Sequence, residues 1–481
     1  MGLMKRQAAT LVFARLSNYG VMLLSPLFLV RLVSVDQFGE YREFMLYAGI
    51  LQWIAGFSVN DSLLYFMPLE PARARAWIRS SMLLVAAVSV LLTGALLAGD
   101  ALAGGGLLGW FALPLALYVI AFANFDFWEG WFLATGRTMA VLVYSTLRLV
   151  ARMAAAVIAA AVWRDVQAIV WAVVGTEILR MLASAAAWWA WDRRDPQHGI
   201  LRAAREQWRF CLQTGLSRMA IMLNRNLGAV LIARLIGPVA LARFTVATYP
   251  EPAVSAVSKS MFLVTLPELV RRLRAEGPAA LEVWKRTASW TCAGIFLPLV
   301  CMLMCARELI LVGFGPGYVP AAPLLQAFLL VMARNCIDFT APLQAVGDTR
   351  PLFRSNALAL AFNAVALAVL MPRWGELGVA LAFALSTLVE PLWLAPLVCR
   401  HYRQSLSRLL HWGELARIAI ASVAAATAIT VVRTLGLPPV AHLLLAGAAA
   451  AAAYVLTLAV LRSDCIGVAR QMLLSRLQEA R

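Results

Sequence analysis

This chain is poor in charge, and poorer still in the side chains that carry most catalysis. Asp, Glu, Lys and Arg together make up only 14% of its 481 residues. A soluble chain of this length needs far more polar surface to cover its core, and the composition leaves no room for a large soluble domain. Histidine occurs four times: His198, His401 and His411 fall in polar connections and His442 at the edge of an apolar run. None is placed as a catalytic base. The seven cysteines are scattered, mostly inside apolar runs. Cys301 and Cys305 are four apart, but no His or carboxylate completes a metal site, so they read as packing residues. No disulfide framework is implied. A cleavable signal peptide is not expected either. Lys5 and Arg6 precede an apolar run that is too long, carries Arg15 and lacks a small-residue cleavage site.

What the chain does have is hydrocarbon. It is 62% hydrophobic, with a mean hydropathy of +0.77. Apolar runs of about 20 residues recur from end to end, each long enough to cross a bilayer core of roughly 30 Å. The expected fold class is an all-α polytopic membrane protein with about fourteen transmembrane helices. Six spans fall within 1–191, a linker at 192–208, six more within 209–398, and two further spans at 414–433 and 442–462. The tail 463–481 has apolar residues at 468, 472, 473 and 477, the spacing of an amphipathic helix lying on a membrane surface.

Basic residues orient these spans. Taking the N-terminus and every second connection as one side places 25 of the 42 Lys and Arg there, against 8 on the other side. The excess marks the cytoplasmic side and puts both termini in the cytoplasm. It also accounts for most of the +17 net charge without invoking nucleic acid; basic loops beside a membrane reflect topology and anionic lipid.

The chain repeats itself. "ARLS" at 14–17 matches "SRMA" at 217–220, and "LVRLV" at 29–33 matches "IARLI" at 232–236, both at an offset of 203. Later, "DFWEGWFLATGRT" at 126–138 matches "DFTAPLQAVGDT" at 338–349. Span one thus corresponds to span seven, and span four to span ten. A shift of six spans gives two pseudo-symmetric six-helix lobes running parallel, related by an axis along the membrane normal.

With an Arg-bearing first span, the junction "RLVSVDQFGEYREF" and the later stretch "GDTRPLFRSNALALAFNAVALAVLMPRWGELGVALAFALST", the chain resembles the polysaccharide flippases of the multidrug/oligosaccharidyl-lipid/polysaccharide exporter superfamily. The resemblance spans about residues 5–400. It implies two lobes around a central cavity, alternating access, no enzymatic reaction and no cofactor. The implied cargo is a polyprenyl-diphosphate-linked glycan carried across a bacterial inner membrane, alongside membrane lipids and other polysaccharide-assembly proteins. Lipid II flippases are similar and use two extra C-terminal helices as a groove for the lipid tail; this chain also has two extra spans.

The intramembrane charges agree with an anionic cargo. Guanidinium matches phosphate oxygens through a planar fork of donors. Candidate cargo contacts are Arg15 with Asn18, Arg148 and Arg152 (i,i+4 with Tyr144 on the same face), Arg218 and Arg225 seven apart, Lys259 and Arg334. Arg180 and Arg417 lie near span ends and are expected to snorkel. Candidate carboxylates for H⁺ or Na⁺ coupling are Asp61, Asp126, Glu129, Glu251, Asp338 and Glu390, with Glu177 also inside a span. Asp126 and Glu129 are expected on one helix face, Arg334 and Asp338 to neutralise each other at i,i+4, and Pro250 and Pro252 to break or bend span eight. Two rival readings stand beside the flippase. One is a multidrug antiporter of the same fold, which would favour acids and aromatics over arginines. The other is a membrane glycosyltransferase or polymerase, which would carry its motifs in larger external loops.

Overall fold

The computed structural model describes residues 26–465, apart from 57, 107, 193–199 and 349, and leaves aside several side chains between 200 and 220 and at 263–264. Among the described residues every regular element is helical. In chain order these are α1 (Val35–Gly56), α2 (Val59–Leu69), α3 (Ala74–Leu102), α4 (Ala112–Ala123), α5 (Trp128–Ala134), α6 (Thr138–Trp163), α7 (Val166–Asp192), α8 (Ile200–Leu235) and α9 (Pro238–Thr248). They continue with α10 (Glu251–Glu276), α11 (Leu281–Met304), α12 (Ala306–Phe314), α13 (Ala322–Arg334), α14 (Thr340–Val346), α15 (Arg350–Thr387), α16 (Val389–His401), α17 (Trp412–Arg433) and α18 (Pro439–Val460). Nine helical stretches among these residues are long and apolar enough to cross a membrane. Helix satisfies every backbone group within the segment, which hydrocarbon demands.

Several expected spans are two helices meeting at a break. The second span, expected at about 41–67, is α1 and α2, separated at Ser58, whose φ is 57°. The eighth is α9 and α10, parted at Tyr249–Pro250 with Pro252 in the first turn of α10, as the two prolines predict. The fourth is α4 and α5, parted at 124–127, where Phe125 has φ 55°. The tenth is α13 and α14, parted at 335–339. The sequence match at 126 and 338 reappears as structure. Each Asp-Phe pair precedes a seven-residue helix, and each helix ends before a glycine at positive φ, Gly136 at 72° and Gly347 at 82°.

By internal contacts the chain divides into two compact units, Met1–Ala242 and Arg243–Arg481. In the first, α4 packs against α1, α3 and α7, and α8 packs along α3. Gly39 of α1 lies where a Cβ would come within 2.0 Å of the Pro238 carbonyl oxygen, so only glycine permits that approach. In the second, α11 is flanked by α10, α13 and α17. The added pair α17 and α18 meets through small residues four apart. Ala421 and Ala425 of α17 and Ala446 and Ala450 of α18 are fully buried, the small-residue seam that lets membrane helices approach closely. Tyr454 of α18 donates to the Ala293 carbonyl of α11 at 2.9 Å, tying the pair to the rest of the unit.

Candidate functional site: a guanidinium–carboxylate network at a helix break

Breaking α4 from α5 leaves carbonyls without intrahelical donors. In the first unit a side chain from α7 supplies them. Arg180 donates to the carbonyls of Ala121, Phe122, Asn124 and Phe125, the last three at 3.0, 3.2 and 3.4 Å. Its Nε also donates to Glu177 Oε2 at 2.8 Å. The Arg180 side chain is 9% exposed; far from snorkelling to an interface, it seals the break from inside.

The face of α6 expected to carry Tyr144, Arg148 and Arg152 meets the same point. Arg148 donates to Asp126 Oδ1 at 2.7 Å and to Glu177 Oε2 at 3.2 Å. Its guanidinium carbon sits 4.1 Å from the Phe122 ring centroid, a cation–π contact that lowers the cost of desolvating the charge. Arg152 donates to the Tyr118 hydroxyl at 3.1 Å and lies 3.7 Å from Glu177 Oε1. Asp126 also lies 3.8 Å from Arg180. Glu177, only 1% exposed, is the hub of the cluster. Three guanidiniums thus surround two carboxylates, and the network keeps one net positive charge. Burying such a charge is costly unless it is compensated.

Two cavities border this network. One, of about 300 Å³, is lined by Ser58, Asn60 and Asp61 at the α1–α2 break and by Phe125, Asp126 and Phe127 at the α4–α5 break. The other, of about 550 Å³, lies between α6 and α7 with Arg148, Glu177 and Arg180 in its lining. Asp126 borders the first and its arginine partners border the second.

The second unit arranges its own break differently. Arg334, the last residue of α13, pairs with Glu390 of α16 and donates to Asn335 Oδ1 at 3.1 Å. Asn335 Nδ2 is 3.4 Å from Ser255 Oγ, and Ser255 donates to Glu251 Oε1 at 2.6 Å. The result is a polar chain from Glu251 on α10 to Glu390 on α16, through the break. Ser258 donates to the Asn335 carbonyl, and Trp284 Nε1 donates to the Asp338 carbonyl at 2.8 Å. Here too the freed carbonyls have partners.

These geometries correct three expectations. Arg334 and Asp338 do not pair, because α13 ends between them and i,i+4 spacing no longer holds. Asp338 instead accepts from the Thr340 N–H at 2.8 Å, opening α14. Asp126 and Glu129 do not share a helix face, since Asp126 lies in the break and Glu129 in the first turn of α5, where it is exposed. Arg180, set aside as a snorkelling residue, is central. Of the other candidates, Arg225 on α8 and Lys259 on α10 are exposed. Arg15 and Asn18 lie outside the described residues, as does the side chain of Arg218. Among the described residues no group of three or more His, Cys, Asp or Glu is placed to hold a metal ion.

The sequence profile of the polysaccharide biosynthesis protein family matches residues 4–271. No curated protein matches the chain in sequence. Solved structures match in fold. The lipid II flippase MurJ in an inward closed conformation has a TM-score of 0.58 at 12% identity, over 96% of this chain and 98% of that one. An inward-facing multidrug resistance MATE family transporter of the MOP superfamily has a TM-score of 0.58 at 15% identity, over 82% and 99%. A Vibrio cholerae MATE transporter has a TM-score of 0.51 at 14% identity, over 84% and 98%. At these identities the likeness establishes the fold, which is that of the MOP-superfamily transporters.

Proposed function

The chain belongs to the polysaccharide biosynthesis protein family, and from that premise we propose that it is a flippase for a polyprenyl-diphosphate-linked oligosaccharide. The observation that carries the proposal is the enclosed network at the α4–α5 break, with Arg148, Arg152 and Arg180 against Asp126 and Glu177. Its excess positive charge suits a diphosphate better than a cationic drug. Cargo binding must stay moderate, because the same groups release it on the far side. Alternating access carries the head group across the bacterial inner membrane, with both termini in the cytoplasm. Arg15 and Arg218, equivalent in the sequence repeat, are assigned to the same anionic cargo by their charge alone. Coupling to H⁺ or Na⁺ falls to the Glu251–Ser255–Asn335 chain and to Asp61.

The test is reconstitution in vesicles with a fluorescent lipid-linked oligosaccharide diphosphate, scoring the fraction protected from an external quencher. Wild type should flip it. Arg148→Lys, which keeps charge but not the fork, should retain part of the rate. Arg148→Ala should lose about 10-fold or more, since a charge-assisted bond contributes roughly 1.5–3 kcal/mol. Wild-type rates in Arg148→Ala would remove the network from transport. A second reading, cation export, is favoured by the cavity that Asp61 and Asp126 line. Accumulation of a lipophilic cation against its gradient, with no flipping, would establish it instead.

A further inference from the structure

The cavity between α6 and α7 has walls of one character and a floor of another. Leu147, Ala151, Leu179, Ala183 and Ala187 form its walls, and all five are exposed. Trp128 and Phe132 also line it, and the Phe132 ring centroid is 6.3 Å from that of Tyr144. Arg148, Glu177 and Arg180 form the floor. Of the nine apolar stretches, α6 is the least buried, with 11% of its most apolar window inside. The slot therefore opens away from the interior of its own unit.

Apolar walls in hydrocarbon take up a lipid chain, and the floor selects the head group. Glu177 turns both oxygens toward guanidiniums, Oε2 to Arg148 and Arg180 and Oε1 to Arg152, so its own charge is spent within the network. One positive charge is left over. The Tyr144 hydroxyl, in the same lining, lies against Arg180; its oxygen faces the guanidinium and its proton is left to donate. A volume of about 550 Å³ between two neighbouring helices lies within the size range of single-ligand pockets.

We infer that the α6–α7 slot holds the chain of a single-chain isoprenoid phosphate, its phosphate against Arg148, Arg180 and the Tyr144 hydroxyl. This rests on the flippase reading and deepens it. It places the lipid end of the cargo in the first unit, and not in a C-terminal groove of the kind lipid II flippases use. The alanines make room for the chain. Ala151→Trp or Ala183→Trp would fill the slot without removing any member of the ion-pair network, since both are exposed wall residues.

The experiment measures equilibrium binding to the full chain in nanodiscs. The probes are a long-chain isoprenoid monophosphate without sugar, the corresponding alcohol, and dioleoyl phosphatidic acid. Wild type should hold the monophosphate at least about 10-fold tighter than either control, a difference of roughly 1.4 kcal/mol. Ala151→Trp and Ala183→Trp should each lose about 10-fold in that affinity with unchanged thermal stability. Equal binding of phosphatidic acid or of the alcohol, or undiminished binding in both Trp variants, overturns the inference. Transport is scored separately. Wild type that binds the monophosphate but flips nothing keeps the slot and removes the flippase reading. Wild type that flips, with binding unchanged in both Ala151→Trp and Ala183→Trp, removes the slot alone.

Discussion

Replacing Glu177 with Gln keeps its size and removes its charge. The carboxylate takes hydrogen bonds from Arg180 at 2.8 Å and Arg148 at 3.2 Å and stands 3.7 Å from Arg152. After the change, three guanidiniums share Asp126 alone, and the enclosed net charge rises from one to two. Breaking a buried pair by removing one partner costs about 3–5 kcal/mol, because the orphaned charge stays behind. For a unit of this size each kcal/mol moves Tm by roughly 2–4 °C, so Glu177→Gln should melt roughly 6–20 °C lower. The assay is the loss of the monodisperse peak on size exclusion after heating in detergent. A second change separates charge from packing. Arg152→Gln in the Glu177→Gln background restores the original net charge and should recover part of the loss, a coupling that a double-mutant cycle measures directly. A Glu177→Gln protein within about 2 °C of wild type would refute the reasoning, since a hub so enclosed cannot be removed without cost unless water already screens it.

Arg164 ends α6 with φ 51° and is exposed; Arg164→Gly should raise stability by about 1 kcal/mol by removing the left-handed penalty, read as a Tm roughly 2–4 °C higher. Gly39→Ala should fail to give a monodisperse protein, because its Cβ would lie 2.0 Å from the Pro238 oxygen and 2.4 Å from its carbon, a clash that only backbone movement relieves. Normal yield and Tm there would show that α1 slides freely past Pro238. Reporter fusions after Gly277 should read cytoplasm and after Gly105 periplasm, following the excess of arginine in alternate connections; a periplasmic signal at Gly277 would invert the topology.

The helical, polytopic class was legible because hydrocarbon admits few structures, and apolar length alone identifies the spans. The break in span eight was legible because Pro250 and Pro252 remove donors. The break at Ser58 carries no proline, and neither does the one at 124–127. There the residues "NFDF" permit a continuous helix, and periodicity duly suggested one. Two of the three errors at the site follow from assuming such continuity. Asp126 with Glu129, and Arg334 with Asp338, were paired along helices that do not continue through them. The repeated Asp-Phe at 126 and 338 did locate both breaks, though it looked like a sequence echo and not a hinge. Arg180 could have been found from its i,i+3 spacing to Glu177, a carboxylate too deep in its span to be left unpaired.

Arg180 also constrains the order in which the protein is made. The residues at 124–127 do not break a helix by themselves, and Phe125 at φ 55° resists doing so. A span leaving the translocon with open carbonyls at Ala121, Phe122, Asn124 and Phe125 would carry them unsatisfied into lipid, at several kcal/mol each. Their donor lies some 55–59 residues downstream. An unbroken fourth span would satisfy those carbonyls within its own segment until α7 brings the Arg180 guanidinium alongside. Truncation of the nascent chain before α7 would leave the span straight.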